Sequence, residues 1–308
     1  MRYDDFRRSD DIEDRRDDGG GMGGGGGFGL PMGGGGLGIG TIIVLGLISY
    51  AFGIDPRLLI GGAEILSGGS QAPSYQSDRR SGKTGAPTDE MGSMISGILG
   101  ELDDRWSEEF QRRGQEWVGP KIVLFRNVTN GGRCGMAQSA MGPFYCPPDQ
   151  KIFLDTGFFR EIETRFRGCS GNACKFTAAY IIAHEAGHHV QNLLGVIPRV
   201  TQLQQQVSSK AEANALQVRV ELQADCLAGV WVNREAKKRP NFLEAGDIDA
   251  ALTTASAIGD DTLQRQATGR VVPDSFTHGS AAQRKQWFTT GVRQGTVEAC
   301  NTFERGAM

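Results

Sequence analysis

The chain has 308 residues, enough for one or two domains with a sizeable core. Its net charge is only −3 and it has no long basic run, which excludes a nucleic-acid binder held by phosphate attraction. Its six cysteines form no paired CxxC knuckle, which excludes a cysteine-rich zinc finger.

Residues 1–36 are expected to be disordered. Met1 to Asp18 is densely charged with both signs, and Gly19 to Gly36 is almost all glycine. Residues 37–54 carry no charge over 18 residues, just long enough to span a bilayer, and predict a transmembrane helix. The lead-in is too long and too mixed in charge for a cleaved signal peptide, so a signal anchor is the better reading. Arg7, Arg8, Arg15 and Arg16 precede the span and Arg57 follows it, which leans towards a cytoplasmic N-terminus. The expectation is a single-pass protein, with the bilayer as partner through 37–54 and the catalytic domain extracytoplasmic, periplasmic or extracellular. Residues 55–87, rich in Gly, Ser and Pro from Ser67 onward, form a linker.

Residues 88–308 make the soluble domain. Met91, Met94, Ile95, Ile98, Leu99, Leu102, Trp106 and Phe110 recur at helical spacing. Lys121–Val128 and Lys151–Leu154 read as strands, with Tyr145 and Cys146 just before the second. Cys134 with Cys146, and Cys169 with Cys174, flank short loops and suit disulfides, which fits an oxidising compartment. Cys226 and Cys300 are left unassigned, since nothing in their spacing calls for a bond between them. Helices are expected over Thr156–Arg167, from Ala173, over Gln202–Lys237 after an interruption at Pro198, over Gly246–Gln266 and over Ser280–Gln294. A few strands beside long helices give an α+β domain, mostly helical with a small sheet.

The helix after Ala173 carries His184-Glu185-Ala186-Gly187-His188 behind the apolar run Tyr180-Ile181-Ile182-Ala183. An HExxH pattern arises by chance in about one chain in a hundred of this length. Residues four apart share one helix face, so His184 and His188 can aim two imidazoles at one Zn²⁺, with Glu185 beside a bound water as general base. Burying two His and a Glu without a partner is costly, and a metal satisfies all three. A catalytic zinc takes a third protein ligand and keeps one position for water. Gln191 and Gly195 do not extend the motif to a third His. The best candidate is Glu221, with Asp225 four residues on, on the same face, able to accept the second ring N–H of a ligand His. His189 points about 100° away from His188 and is read as packing or hydrogen bonding. His278, just before a helix that Ser280 can cap, can donate to the oxyanion of a tetrahedral intermediate.

His184-Glu-Ala-Gly-His-His-Val-Gln191, Glu221-Leu-Gln-Ala-Asp-Cys-Leu-Ala-Gly229, His278-Gly-Ser and Gly142-Pro-Phe-Tyr-Cys-Pro-Pro-Asp149 occur in one order. Together they resemble the putative neutral zinc metallopeptidase family of bacterial membrane-anchored proteins, from about Tyr3 to Arg305. The resemblance implies a zincin-like fold with a glutamate third ligand. Glu221-xxx-Asp225 and His278 with Arg284 are also similar to motifs of the membrane-associated gluzincin peptidases, although Gly279 stands where Pro is usual.

The expected function is therefore zinc-dependent hydrolysis of a peptide or protein. One Zn²⁺ sits on His184, His188 and Glu221, Glu185 is the base, and His278, aided by Arg284, is on the oxyanion. The strand at Lys151–Leu154 would hold the peptide at the sheet edge. The rivals are a membrane-tethered zinc-binding scaffold and a zinc hydrolase of a non-peptide amide.

Overall fold

The structure is a computed structural model describing residues 1–17, 82–164, 169–171 and 173–304. In chain order its strands are β1 (Ile12–Asp14), β2 (Lys83–Thr84), β3 (Lys121–Phe125), β4 (Val128–Asn130), β5 (Met136–Gln138), β6 (Phe144–Cys146) and β7 (Lys151–Asp155). Its α-helices are α1 (Glu90–Arg112), α2 (Phe158–Thr164), α3 (Ala173–Leu193), α4 (Val196–Gln204), α5 (Lys210–Lys238), α6 (Asp247–Ala257), α7 (Asp260–Thr268) and α8 (Ala281–Gln294). The described residues are mostly helical with a small sheet.

The main sheet runs β2-β1-β3-β7-β6. Its central strands β1, β3 and β7 are parallel, while β2 and β6 pair antiparallel at the two sides. Ile122, Val123, Leu124 and Phe125 are all fully buried. That explains why β3 reads as a continuous apolar run and not an alternating one: both of its faces are covered. Asn127, at φ 66°, turns the chain out of β3, so the expected strand 121–128 divides into β3 and β4. β7 lies between β3 and β6, so the expectation that it forms a free edge is corrected; among the described residues the edge on that side is β6.

The helices meet where side chains are missing. A Cβ on Gly187 of α3 would lie 3.0 Å from the Ala224 carbonyl of α5. One on Gly291 of α8 would lie 1.9 Å from the Cys226 carbonyl. Only glycine permits the approach at Gly291, and at Gly187 a side chain would push its neighbour back by a few tenths of an ångström; the two contacts bring α3, α5 and α8 into one tight layer. Trp231, Tyr180 and Phe288 fill it, with the Tyr180 and Phe288 rings 5.0 Å apart.

Two expected helices are each divided. Residues 205–209 separate α4 from α5, and Ser209 caps α5 by accepting from the Glu212 N–H. Pro198 lies in the first turn of α4, where its missing N–H is no loss. Gly259 separates α6 from α7 and packs its Cα face on Ala281. The expected helix over Thr156–Arg167 is shorter among the described residues, Phe158–Thr164. All three cysteine pairs are bonded: Cys134–Cys146, Cys169–Cys174 and Cys226–Cys300.

The head is corrected outright for residues 1–17. Met1, Phe6 and Ile12 are buried, and Ile12–Asp14 joins the sheet beside β3. Its charges are paired to the body. Arg239, which caps the C-terminal end of α5, meets Asp5 at 2.6 Å, Glu101 of α1 at 2.7 Å and Glu235 at 2.8 Å. Close approach helps here too, because a Cβ on Gly100 would lie 1.9 Å from the Arg7 carbonyl.

The expected membrane anchor is also corrected. No helix among the described residues is long and apolar enough to cross a membrane. The stretch 37–54 lies outside the described residues, as do the glycine tract and most of the linker. The linker's last residues are described, and Lys83–Thr84 pairs with β1.

Candidate metal centre

The α3–α5 crossing at Gly187 and Ala224 sets one turn of each helix face to face. From α3 come His184, Glu185 and His188; from α5 come Glu221 and Asp225. His184 Nε2 lies 3.2 Å and His188 Nε2 3.5 Å from Glu221 Oε2. One donor atom from each of the three residues falls within 4.8 Å of the others, close enough to share one metal ion. The two rings are nearly perpendicular, at 86°. His184, Glu185 and Glu221 are buried, and the His188 side chain keeps 12 % exposure.

Asp225 organises the inner side. Its Oδ1 accepts from Tyr180 Oη at 2.7 Å, His184 Nδ1 at 2.9 Å and Arg284 Nη2 at 3.0 Å, and its Oδ2 accepts from Arg284 Nε at 2.8 Å. Burial works to raise the Asp225 pKa, but Arg284 and His184 outweigh it and hold the carboxylate ionised. With Nδ1 committed to Asp225, His184 turns Nε2 to Glu221, where a bound cation would take the place of the Nε2 proton. Glu221 Oε1 is held in turn by Gln217 Nε2 at 2.8 Å.

The protein groups alone already favour positive charge here. Burial lowers the His184 pKa, yet Asp225, Glu221 and Glu185 carry it up to about 10. Burial raises the Glu221 pKa, yet His188 and His278 pull it well below the usual carboxylate range. Three buried carboxylates thus hold a positive charge between them, and two imidazole nitrogens with a carboxylate oxygen suit zinc in kind and number. The residues present therefore fit that ion.

His278 enters from the loop before α8. Asp260 Oδ2 accepts the backbone N–H groups of Thr277, His278 and Gly279 at 2.8, 2.6 and 2.9 Å, and so clamps the loop. Ser280 then starts α8 with a capping box closed by Gln283. His278 Nδ1 lies 3.1 Å from Thr277 Oγ1 and 3.5 Å from Asp260 Oδ1, and the side chain is 32 % exposed. Burial lowers its pKa, but Glu221 and Asp260 hold it above the usual histidine value.

Arg284 is not placed to help an oxyanion. Its nitrogens go to Asp225, to Tyr180 Oη at 3.3 Å and to the Ile258 carbonyl at 3.5 Å. His189 turns away from the cluster, fully buried. Its Nε2 donates to the Val118 carbonyl at 2.7 Å, so its Nδ1 accepts from Tyr145 Oη at 2.9 Å. Burial brings its pKa down to about 4 and keeps it neutral.

Tyr180, Gln217 and Asp260 escape sequence reasoning. For the first two a signal exists: Tyr180 lies four residues before His184, and Gln217 four before Glu221, each on the same helix face. Asp260 offers no such spacing.

The profile of the family described as putative neutral zinc metallopeptidase matches residues 1–303. The uncharacterized protein YpfJ of Escherichia coli K12 is 43% identical over 305 residues, covering 98% of this chain and 99% of that protein. The uncharacterized protein Mb2605 of Mycobacterium bovis is 46% identical over 195 residues, 61% of this chain and 63% of that protein. No solved structure matches the chain.

Proposed function

This chain belongs to the putative neutral zinc metallopeptidase family, and from that membership and its geometry we propose that it is a zinc-dependent peptidase. The observation that carries the proposal is the convergence of His184, His188 and Glu221 on one point, with Glu185 in the same helix turn. His184 and His188 through Nε2, and Glu221 through a carboxylate oxygen, would hold the ion. Bound there, zinc supplies a Lewis acid that polarises a scissile carbonyl and acidifies water.

Glu185 takes a proton from the attacking water and returns it to the leaving amide nitrogen. Asp225, braced by Arg284 and Tyr180, keeps His184 in the Nδ1–H form. His278 donates to the oxyanion, its loop held by Asp260. The peptide lies along β6, the sheet edge on that side, which Tyr145 ties to the metal-site helix through His189 and Asn192 at 2.9 and 3.0 Å.

Digestion of a peptide library tests this directly. Wild-type protein loaded with zinc cleaves members of the library, chelator-stripped protein does not, and added zinc restores cleavage. If zinc-loaded protein leaves every peptide intact, the peptidase reading falls and a non-peptide amide or a scaffold role takes its place.

A further inference from the structure

His184 has Asp225 to fix its ring; His188 has no carboxylate on its Nδ1. That nitrogen lies 2.8 Å from Oε1 of Gln191, three residues on in α3. Gln191 is fully buried, and its Nε2 lies 2.8 Å from the Val220 carbonyl and 2.9 Å from Gln223 Oε1. Gln223 Nε2 in turn lies 3.0 Å from the Cys300 carbonyl.

The chemistry at the two ends fixes every polarity between them. A backbone carbonyl only accepts, so the amide atom facing Val220 must be the nitrogen of Gln191, and the atom facing Cys300 must be the nitrogen of Gln223. Both Gln191 amide protons are then spent, on Val220 and on Gln223. The atom turned to His188 is an oxygen, and His188 Nδ1 must donate to it. The proton is thereby held away from Nε2, which faces Glu221.

The far end of the chain of amides is also anchored. Cys300 closes the short turn Glu298–Cys300 and is bonded to Cys226 of α5. Thr302 Oγ1 donates to the Arg219 carbonyl at 2.7 Å, and Arg219 Nη1 returns a bond to the Thr302 carbonyl at 2.8 Å. The C-terminal strap is thus stitched along the helix that carries Glu221.

We propose that Gln191 is the positioning residue for His188, and that Gln223 and the disulfide-anchored Cys300 carbonyl hold Gln191 in the orientation that keeps His188 Nε2 free for metal. This rests on the zinc reading of the His184, His188 and Glu221 cluster. It adds to that reading a second orienting system, neutral where the Asp225 system is charged, which links the metal site to the C-terminal strap.

The test is zinc affinity, read by competition with a chromophoric chelator on the full chain, for Gln191→Leu, Gln223→Leu and the double variant. Gln191→Leu is expected to weaken zinc binding by about 10–100-fold and to shift the visible spectrum of the cobalt-substituted protein. Gln223→Leu, in a partly exposed position, should weaken it less, and combined with Gln191→Leu should add nothing further. A merely structural role would lower the unfolding temperature and leave the cobalt spectrum of the folded protein unchanged. The proposal is overturned if Gln191→Leu binds zinc within about twofold of wild type, or if the two effects simply add. Should Gln191→Leu not fold, unchanged zinc affinity and cobalt spectrum in Gln223→Leu overturn it alone. Wild-type protein that binds no zinc would sink the zinc reading itself, a different outcome from a variant that binds as wild type does.

Discussion

Glu185→Gln should leave zinc bound and lower peptide turnover by about 10²–10⁴-fold, the range ascribed to a positioned general base. The amide has the size of the carboxylate and can occupy the same buried place in α3, where Glu185 is 7% exposed. It cannot take a proton from water. The groups that would hold the metal, His184, His188 and Glu221, are untouched, so the defect should fall on turnover. A modest loss of zinc affinity is expected as well, because the Glu185 charge helps to hold positive charge at His184. Turnover on a peptide drawn from the library, with zinc content measured on the same sample, separates the two. Wild-type turnover in zinc-loaded Glu185→Gln would remove Glu185 from the proton path.

Asp225→Ala has the largest expected effect on stability. Asp225 is fully buried and is the acceptor for Arg284, Tyr180 and His184 at once. Arg284 is itself only 3% exposed. Removing the carboxylate strands a buried guanidinium, which costs about 3–5 kcal/mol. Against a total stability of about 5–15 kcal/mol, that is a large share. Zinc affinity should fall by about 10–100-fold in the same variant, because His184 loses the group that orients it.

The two losses can be pulled apart. In Asp225→Ala with Arg284→Leu the stranded charge is gone, so much of the stability should return. His184 still lacks its acceptor, so the zinc deficit should persist. Denaturant unfolding and chelator competition on the pair of variants check both halves. Zinc affinity that recovers along with stability would mean that Asp225 acts on the metal site only through general packing.

The metal cluster was legible in the sequence because its parts obey one spacing. His184 and His188, like Glu221 and Asp225, are four residues apart, and the helical period puts each pair on one face. What joins the two pairs is the glycine contact between α3 and α5, and spacing along the chain does not reveal which helices touch. Arg284 shows the same limit. The sequence places it one turn into α8 after His278, whereas the fold turns it inward to Asp225, away from any oxyanion role.

The head was misread for a related reason. Its charge density matches a disordered segment, but Met1, Phe6 and Ile12 are few and deeply buried, and Asp5 is paired across the chain to Arg239. Composition averages over such long-range pairs and cannot see them. β7 did carry a usable signal. Its run Ile152-Phe153-Leu154 is continuous and not alternating, the mark of a strand covered on both faces and so not suited to be a free edge. The Gln191–Gln223 connection had none, because a buried glutamine declares its role only once its partners are known.

The central claim is that His184, His188 and Glu221 hold one zinc ion. Zinc per chain, measured by elemental analysis on purified wild-type protein and on Glu221→Ala side by side, tests it most directly. One zinc per wild-type chain and a clear loss in Glu221→Ala is the predicted result. Wild-type protein without zinc, or Glu221→Ala with as much zinc as wild type, would contradict it.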